Sequence, residues 1–391
     1  MPAATHDLLD LDSLLTEDER AVRASVRQAC ADLVLPHVAG WYENGDLPAA
    51  QVRELVGEFG RLGLLGMHLE GYGCAGMGAV DYGLACTELE AADSGIRSMV
   101  SVQGSLAMHA LHTFGSEEQR QEWLPAMAAG ERIGCFGLTE PDHGSDPASM
   151  TTRARQDGSD WILDGTKTWI TNAPVADVAV VWARTDDGVR GFVVPTGTAG
   201  VQTPTISHKL SLRASVTGQV VLEQVRLPGD AVLPGVRGLK GPLSCLSEAR
   251  YGIVWGAMGA ARTALLTALE YAGTREQFGR PISGFQLTQA KLARMHQAWA
   301  TGTLLALHLG RRKDEHGLRP EQVSVGKLNN VTAALEICRT ARTVLGANGI
   351  SGDYPLMRHA NNLESVLTYE GTEEMHTLVV GQALTGEPAY R

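Results

Sequence analysis

The chain has 391 residues, of which 44% are hydrophobic and only 20% charged, and its formal net charge is -11. That length and apolar content can bury one large core or several connected ones. The acidic balance argues against nucleic acid or an anionic membrane as the main partner, since either needs a basic footprint, and leaves a small molecule as the expected ligand.

The opening MPAATHDLLDLDSLLTEDER has no basic n-region and no apolar h-region, and no later stretch reads as an uninterrupted membrane span. No membrane insertion and a cytoplasmic location are expected. Between about residues 15 and 130, ERAVRASVRQACADLVLPHV and QVRELVGEFGRLGLLG repeat apolar residues at helical spacing, so residues 1–130 predict an α-helical domain. GYGCAG (71–76) matches G-x-G-x-x-G, but the preceding run is helical and no βαβ pattern surrounds it, so it reads as a glycine-rich connection. Residues 131–240 change to short β-branched runs (ADVAVVWART, RGFVVPTG, TGQVVLEQVRLP) between turn clusters, which predict a β-domain of antiparallel strands. In 241–391 long helical patterns return, from EARYGIVWGAMGAARTALL through FQLTQAKLARMHQ to EQVSVGKLNNVTAALEICRTARTVLGANG, the last ending at Gly346 or Gly349. Such helices can pack as a bundle. The six cysteines, Cys30, Cys74, Cys86, Cys135, Cys245 and Cys338, show no C-x-x-C and no histidine pair at zinc spacing, so neither a disulfide framework nor a metal site is expected.

Three short stretches hold the candidate chemistry. CFGLTEPDHGSD (135–146) sits at the helix-to-strand boundary, where Thr139, Gly144 and Ser145 offer hydroxyls and approachable backbone. WITNAP (169–174) places a large ring beside a hydroxyl and an amide. In TYEGTEEMH (368–376), Thr372 can N-cap a helix begun by Glu373 and Glu374, which leaves Glu370 outside that helix. Gly371 removes a side chain next to it. In ELEAADSGIRS the helical run should stop near Asp93, with Ser94 capping a new helix whose first turn holds Gly95, Ile96 and Arg97. Arg97 then has a guanidinium fork suited to a carboxylate, or else pairs with Glu90 at the surface.

GLTEP..GSD, KTWITN, TREQFGRPISGFQ (274–286), VLGANGIS (344–351) and YEGT, in that order, resemble the acyl-CoA dehydrogenase family over nearly the whole chain. The resemblance implies an α+β fold: an N-terminal helical domain, a middle antiparallel β-domain and a C-terminal four-helix bundle. It also implies FAD as cofactor, electron-transfer flavoprotein as electron acceptor, and a homotetramer. Within the family, ELEAADSGIRSMVSVQGSL, GSEEQRQEWLP, SLRASVTG, EARYGI and RHANNLESVLTYEGT are most similar to the glutaryl-CoA dehydrogenase branch. That branch oxidises and decarboxylates glutaryl-CoA to crotonyl-CoA and CO2.

By the same resemblance Glu370 is the catalytic base, and the glutaryl carboxylate falls to Arg97 with Glu90, Ser98 and Tyr369 around it. Ser145, Leu243, Arg250 and Gly371 complete the implied substrate contacts. Flavin contacts carry over to Phe136, Leu138, Thr139, Ser145, Trp169, Ile170, Thr171, Thr372 and Glu374. Arg275, Gln286, Val344, Leu345, Gly346 and Ala347 would reach the flavin of a neighbouring subunit. Two positions depart from the branch: Ile96 stands where Tyr is expected and Ser247 where Asn is expected, which bears on chain-length preference. Three alternatives stay open: a non-decarboxylating relative, a short-chain acyl-CoA dehydrogenase, and a non-catalytic acyl-CoA or flavin binder.

Overall fold

In the computed structural model, which describes residues 7–389, seven helices come first. They are α1 (Glu17–Leu33), α2 (Val38–Asn44), α3 (Ala49–Arg61), α4 (Ala79–Ala92), α5 (Ser94–Ser101), α6 (His109–Phe114) and α7 (Glu117–Ala128). α1 and α7 open on reciprocal capping boxes, Thr16 with Glu19 and Ser116 with Gln119, which satisfy N–H groups that a first turn leaves unpaired. α5 continues through a buried π-helical turn, Val102–Met108, into α6. The glycine-rich stretch 71–76 lies in turns between α3 and α4.

The sheet follows: β1 (Gly134–Gly137), β2 (Arg153–Asp157), β3 (Asp160–Thr171), β4 (Val178–Thr185), β5 (Gly188–Pro195), β6 (Val201–Gln202) and β7 (Thr217–Leu227). Its order is β1-β4-β2-β3-β7-β6, with β5 paired to β4. Pairing is mainly antiparallel, while β1 runs parallel to β4 from Gly134 against Val178 to Gly137 against Val181. Alternation along a strand has the same period in both pairings, so sequence does not distinguish them. Leu163, Ala179, Val181, Phe192, Val220 and Val225 form the sheet's own core. Between Lys167 and Ile170 the β3–β7 register shifts, and the irregularity turns Trp169 to φ 60° and leaves it 61% exposed.

The last part holds α8 (Lys240–Thr274), a short hairpin of β8 (Glu276–Gln277) and β9 (Arg280–Pro281), then α9 (Gln286–His316), α10 (Pro320–Val344), α11 (Leu356–Thr368) and α12 (Glu373–Thr385). α8, α9, α10 and α11 pack as a bundle, with α12 against α10. Alanines at 257, 261, 264 and 268 of α8 bring it close to α10, where Val331, Leu335 and Cys338 complete the core. α8 alters one sequence expectation, since it is long and apolar enough to cross a membrane. Yet 72% of its most apolar window is buried in the protein, against α4 and α10, so its hydrophobicity is spent on the core.

Candidate active site

Between α11 and α12 the chain turns through Glu370 at φ 53° and Gly371 at φ 94°. A non-glycine residue stays in left-handed backbone only where its surroundings enforce it. Here the enforcement falls on three successive carbonyls. Those of Tyr369 and Gly371 accept hydrogen bonds from Nζ of Lys327 at 2.5 and 2.6 Å, and that of Glu370 accepts from Nε of Arg250 at 2.6 Å. Nε2 of His376 lies 3.3 Å from the Glu370 carbonyl, while Nδ1 of the same ring lies 2.9 Å from Oγ of Ser324. Gly371 leaves room for this clamp: a Cβ there would lie 2.9 Å from His376 Nε2. Thr372 caps α12 as expected, accepting the Met375 N–H at 3.3 Å. Glu370 therefore stands outside both helices, and its Oε2 is buried without a hydrogen-bond partner. Burial raises its pKa, and although Arg97, Arg250 and Lys327 pull the other way, the net direction is up. A base near working pH needs that direction.

The break between α4 and α5 is capped one residue earlier than expected. Asp93 is the cap, its Oδ1 accepting the Gly95 N–H at 2.7 Å, and Ser94 is the first helical residue with a buried, unpartnered hydroxyl. Asp93 sits in extended backbone, from which a short carboxylate reaches the first free N–H groups. Its Oδ2 accepts from Arg358 at 2.7 Å and Asn362 at 2.9 Å, so the start of α5 is fixed to α11, the helix that leads to Glu370.

One turn along α5, Arg97 is 1% exposed. Its Nε donates to Oε2 of Glu90 at 2.7 Å, its Nη2 donates to the Tyr369 hydroxyl, and Ser98 Oγ lies 3.2 Å from that hydroxyl. The pair with Glu90 thus exists, but in the interior and not at the surface. Glu90 fits there because Gly256 of α8 has no side chain; a Cβ would stand 2.0 Å from Oε2. Oε1 of Glu90 is buried without a partner. Burial works against the Arg97 charge, but Tyr369 and Glu90 hold its pKa well above the ordinary value, so the group stays cationic. Of the two departures, Ile96 is fully buried, and Ser247 donates its hydroxyl to the Leu243 carbonyl at 3.0 Å, within its own helix. Leu243 is 40% exposed.

The ends of β1 and β3 form the third part. The Thr168 N–H donates to the Thr139 carbonyl at 2.9 Å. Nζ of buried Lys167 donates to the Leu138 carbonyl at 3.0 Å and to Glu140 at 2.8 Å. Glu140 also accepts the N–H groups of Thr151 and Thr152, which locks the segment after β1 onto β3. Asn172 extends from the end of β3 to the carbonyls of Met99 beside Arg97 and Gly134 of β1, at 3.3 and 3.4 Å. Phe136, Leu138 and Ile170 are buried, Thr139 and Thr171 half-buried, and Ser145 exposed. An exposed indole held at a strained backbone position, with hydroxyls at adjacent strand ends, fits a flat, polar-edged ring system such as a flavin.

The second set of expected flavin contacts lies elsewhere. Arg275, Gln286, Gly346 and Ala347 are exposed, with Val344 and Leu345 buried behind them. Val344 stands 17 residues along α10 from Lys327, about 25 Å at helical rise. Within one chain the two sets do not form one site. Phe278 and Leu287 beside the second set are 94% and 81% exposed.

One cluster suits a metal by residue type: His68, His109 and Glu248 bring ligand atoms within 4.8 Å of one another. Its cationic place is taken, because Lys313 Nζ lies 3.1 and 2.9 Å from the two Glu248 oxygens. Lys327, His376, Lys167 and Glu140 escaped the sequence reading. A lone lysine on an apolar helix (EQVSVGKLNN) and a histidine four residues after the capping Thr372 were the available signals.

Comparison with known proteins agrees with this layout. Family models for the acyl-CoA dehydrogenase N-terminal, middle and C-terminal domains match residues 16–131, 135–225 and 236–385. The chain is similar to glutaryl-CoA dehydrogenase from Mycobacterium smegmatis, with 67% identity, a TM-score of 0.97 and 99% of each chain covered. A second structure of a glutaryl-CoA dehydrogenase from that organism, in complex with FADH2, is 62% identical with a TM-score of 0.96 over 98% of each chain. Human mitochondrial short-chain specific acyl-CoA dehydrogenase is 38% identical over 365 residues, which is 90% of this chain and 87% of the relative. With three domain models in sequence, these identities and a buried carboxylate at the α11–α12 turn, the chain belongs to the acyl-CoA dehydrogenase family.

Proposed function

We infer that the protein is an FAD-dependent glutaryl-CoA dehydrogenase that converts glutaryl-CoA to crotonyl-CoA and CO2 and passes electrons to an electron-transfer flavoprotein. The observation that carries this reading is the adjacency of two opposite functions: Tyr369 touches the buried cation Arg97, and the next residue is Glu370, whose Oε2 is buried without a hydrogen-bond partner. A short dicarboxylic acyl chain needs a cation at its far end and a base at its α-carbon. A monocarboxylic acyl chain would bring nothing to use Arg97.

Phe136, Leu138, Thr139, Ser145, Trp169, Thr171, Thr372 and Glu374 would hold FAD, which when bound supplies the acceptor for a hydride from the β-carbon. Glu370 takes the α-proton. Its own backbone N–H, fixed by the carbonyl clamp, donates to the thioester oxygen as charge gathers there. Arg97 holds the distal carboxylate during oxidation. When that carboxylate leaves as CO2, its electron pair passes into a dienolate conjugated with the thioester, and protonated Glu370 returns the proton to the γ-carbon. Arg275, Gln286 and the segment Val344 to Ala347 would serve the flavin of a neighbouring subunit in a homotetramer. Six cysteines without a disulfide among the described residues suit a reducing cytoplasm.

The test is product analysis with glutaryl-CoA and an artificial electron acceptor. Crotonyl-CoA and CO2 are expected; glutaconyl-CoA without CO2 would make this a non-decarboxylating enzyme, and preference for butyryl-CoA a short-chain one. Glu370→Gln should keep FAD and bind glutaryl-CoA while slowing flavin reduction at least about a hundredfold. Unchanged reduction would move the base elsewhere.

A further inference from the structure

Lys327 is a charged residue on the inner face of α10, 2% exposed, and the chemistry above uses it only to hold the Glu370 N–H through the clamp on the neighbouring carbonyls. Among the described residues it has no carboxylate as a direct hydrogen-bond partner. Instead its Nζ spends two N–H groups on the carbonyls immediately before and after Glu370, at 2.5 and 2.6 Å, and lies 5.8 Å from the Tyr369 ring centroid. Three further features converge on the same turn. Glu370 sits at φ 53°, its own carbonyl is held from the other side by Arg250 with His376 at 3.3 Å, and its carboxylate Oε2 has no partner of its own. The backbone of this turn is thus held from several sides, while the Oε2 end of the side chain is not.

Resting on the reading of Glu370 as the base, we propose that Lys327 is a positioning residue that sets the reach of the Glu370 carboxylate to the substrate α-carbon by clamping the peptide units on both sides of it. A direct contact to the carboxylate would aim it equally well, but would compete with the proton that it must accept. A clamp on the carbonyls avoids that competition. It also works in either charge state of Lys327, because a neutral amine still has two N–H groups to give. Burial lowers the Lys327 pKa against the pull of Glu370, with Arg250 and Arg97 lowering it further, so this tolerance has a use. His376 is kept neutral by burial and by the neighbouring Lys327 and Arg250 charges, its pKa pushed down to about 3. It thus adds no further cation beside the base.

The experiment separates proton removal from hydride loss with 3-thiaglutaryl-CoA, in which sulfur replaces the β-carbon so that only the α-hydrogens can react. The holoenzyme is incubated with this analogue in D2O, exchange of the α-hydrogens is followed by NMR, and binding is measured by calorimetry. Lys327→Met should slow exchange about a hundredfold, the scale for a displacement near 1 Å, with the dissociation constant within about threefold of wild type. Lys327→Gln, which keeps an N–H donor without charge, should recover at least about a tenth of the wild-type rate. If the Met variant does not assemble with FAD, the Gln variant carries the same comparison, with slower exchange at unchanged affinity expected. Glu370→Gln is the control: exchange at the wild-type rate there would sink the assignment of the base itself. If Glu370→Gln abolishes exchange while Lys327→Met exchanges like wild type, or loses affinity and rate together, or is matched by Lys327→Gln, the positioning role is overturned and the base assignment stands.

Discussion

On the proposed function, the choice between glutaryl-CoA and butyryl-CoA turns on Arg97. If it pairs the distal carboxylate in a closed pocket, Arg97→Met should cost glutaryl-CoA turnover roughly 2–5 kcal/mol in kcat/KM, the range for stranding one member of a desolvated pair. Butyryl-CoA should be spared or favoured. Equal losses with both substrates would make Arg97 structural. The same variant has a pH signature. As the proposed base, Glu370 has to be deprotonated to act, so flavin reduction should fall as pH drops through its raised pKa; Arg97 is one of the cations that restrain that rise. Without Arg97 the midpoint for butyryl-CoA should move to higher pH, which a pH series of stopped-flow reductions would read. The position of Glu370 outside α12 was legible in the sequence because the capping Thr372 fixed where that helix begins, while its proposed role as base came from the family resemblance. Its backbone strain and the lysine behind it were not, since a φ angle and contacts 42 and 44 residues apart leave no local pattern.

At the scale of elements, the β1–β3 junction depends on one buried ion pair, Lys167 with Glu140. Lys167→Met leaves that carboxylate buried without its cation and should destabilise the protein by about 3–5 kcal/mol in denaturant titration, with FAD lost first. The pair has an acid limit. Burial alone would raise the Glu140 carboxyl, but Lys167 and the Thr151 and Thr152 groups hold it down to about 2. A depressed carboxylate contributes stability above its unfolded pKa, and that contribution is lost as pH falls from about 5 towards 2. Wild-type melting temperature should decline over that window, and Lys167→Met should decline less. The β-domain could be read from its short β-branched runs between turn clusters, yet the parallel β1–β4 pairing could not. The N-cap of α5 was misplaced by one residue because Asp93 and Ser94 are both good caps and only the extended backbone at Asp93 chooses between them.

For the whole molecule, the exposed Phe278 and Leu287 next to Arg275 and Gln286 call for a covering surface. A tetramer is expected by light scattering, and Phe278→Asp should dissociate it and weaken FAD retention together; dissociation with full retention would remove the neighbouring subunit from the cofactor site. The proposed substrate would meet the chain in three different parts. Of the proposed acyl-CoA contacts, Arg97 comes from the N-terminal helices, Ser145 from the segment after β1 and Glu370 from the C-terminal part, and Asp93 and Asn172 already tie these three parts together. A bound acyl-CoA is then a clasp that fastens all three at once, and it can be weighed by heat alone. At a hundred times its dissociation constant, 3-thiaglutaryl-CoA should add about 2.7 kcal/mol to the stability of the whole protein. Calorimetry should show one transition moving up as a unit, whereas a ligand held by a single part would lift one shoulder and leave the rest of the trace where it was.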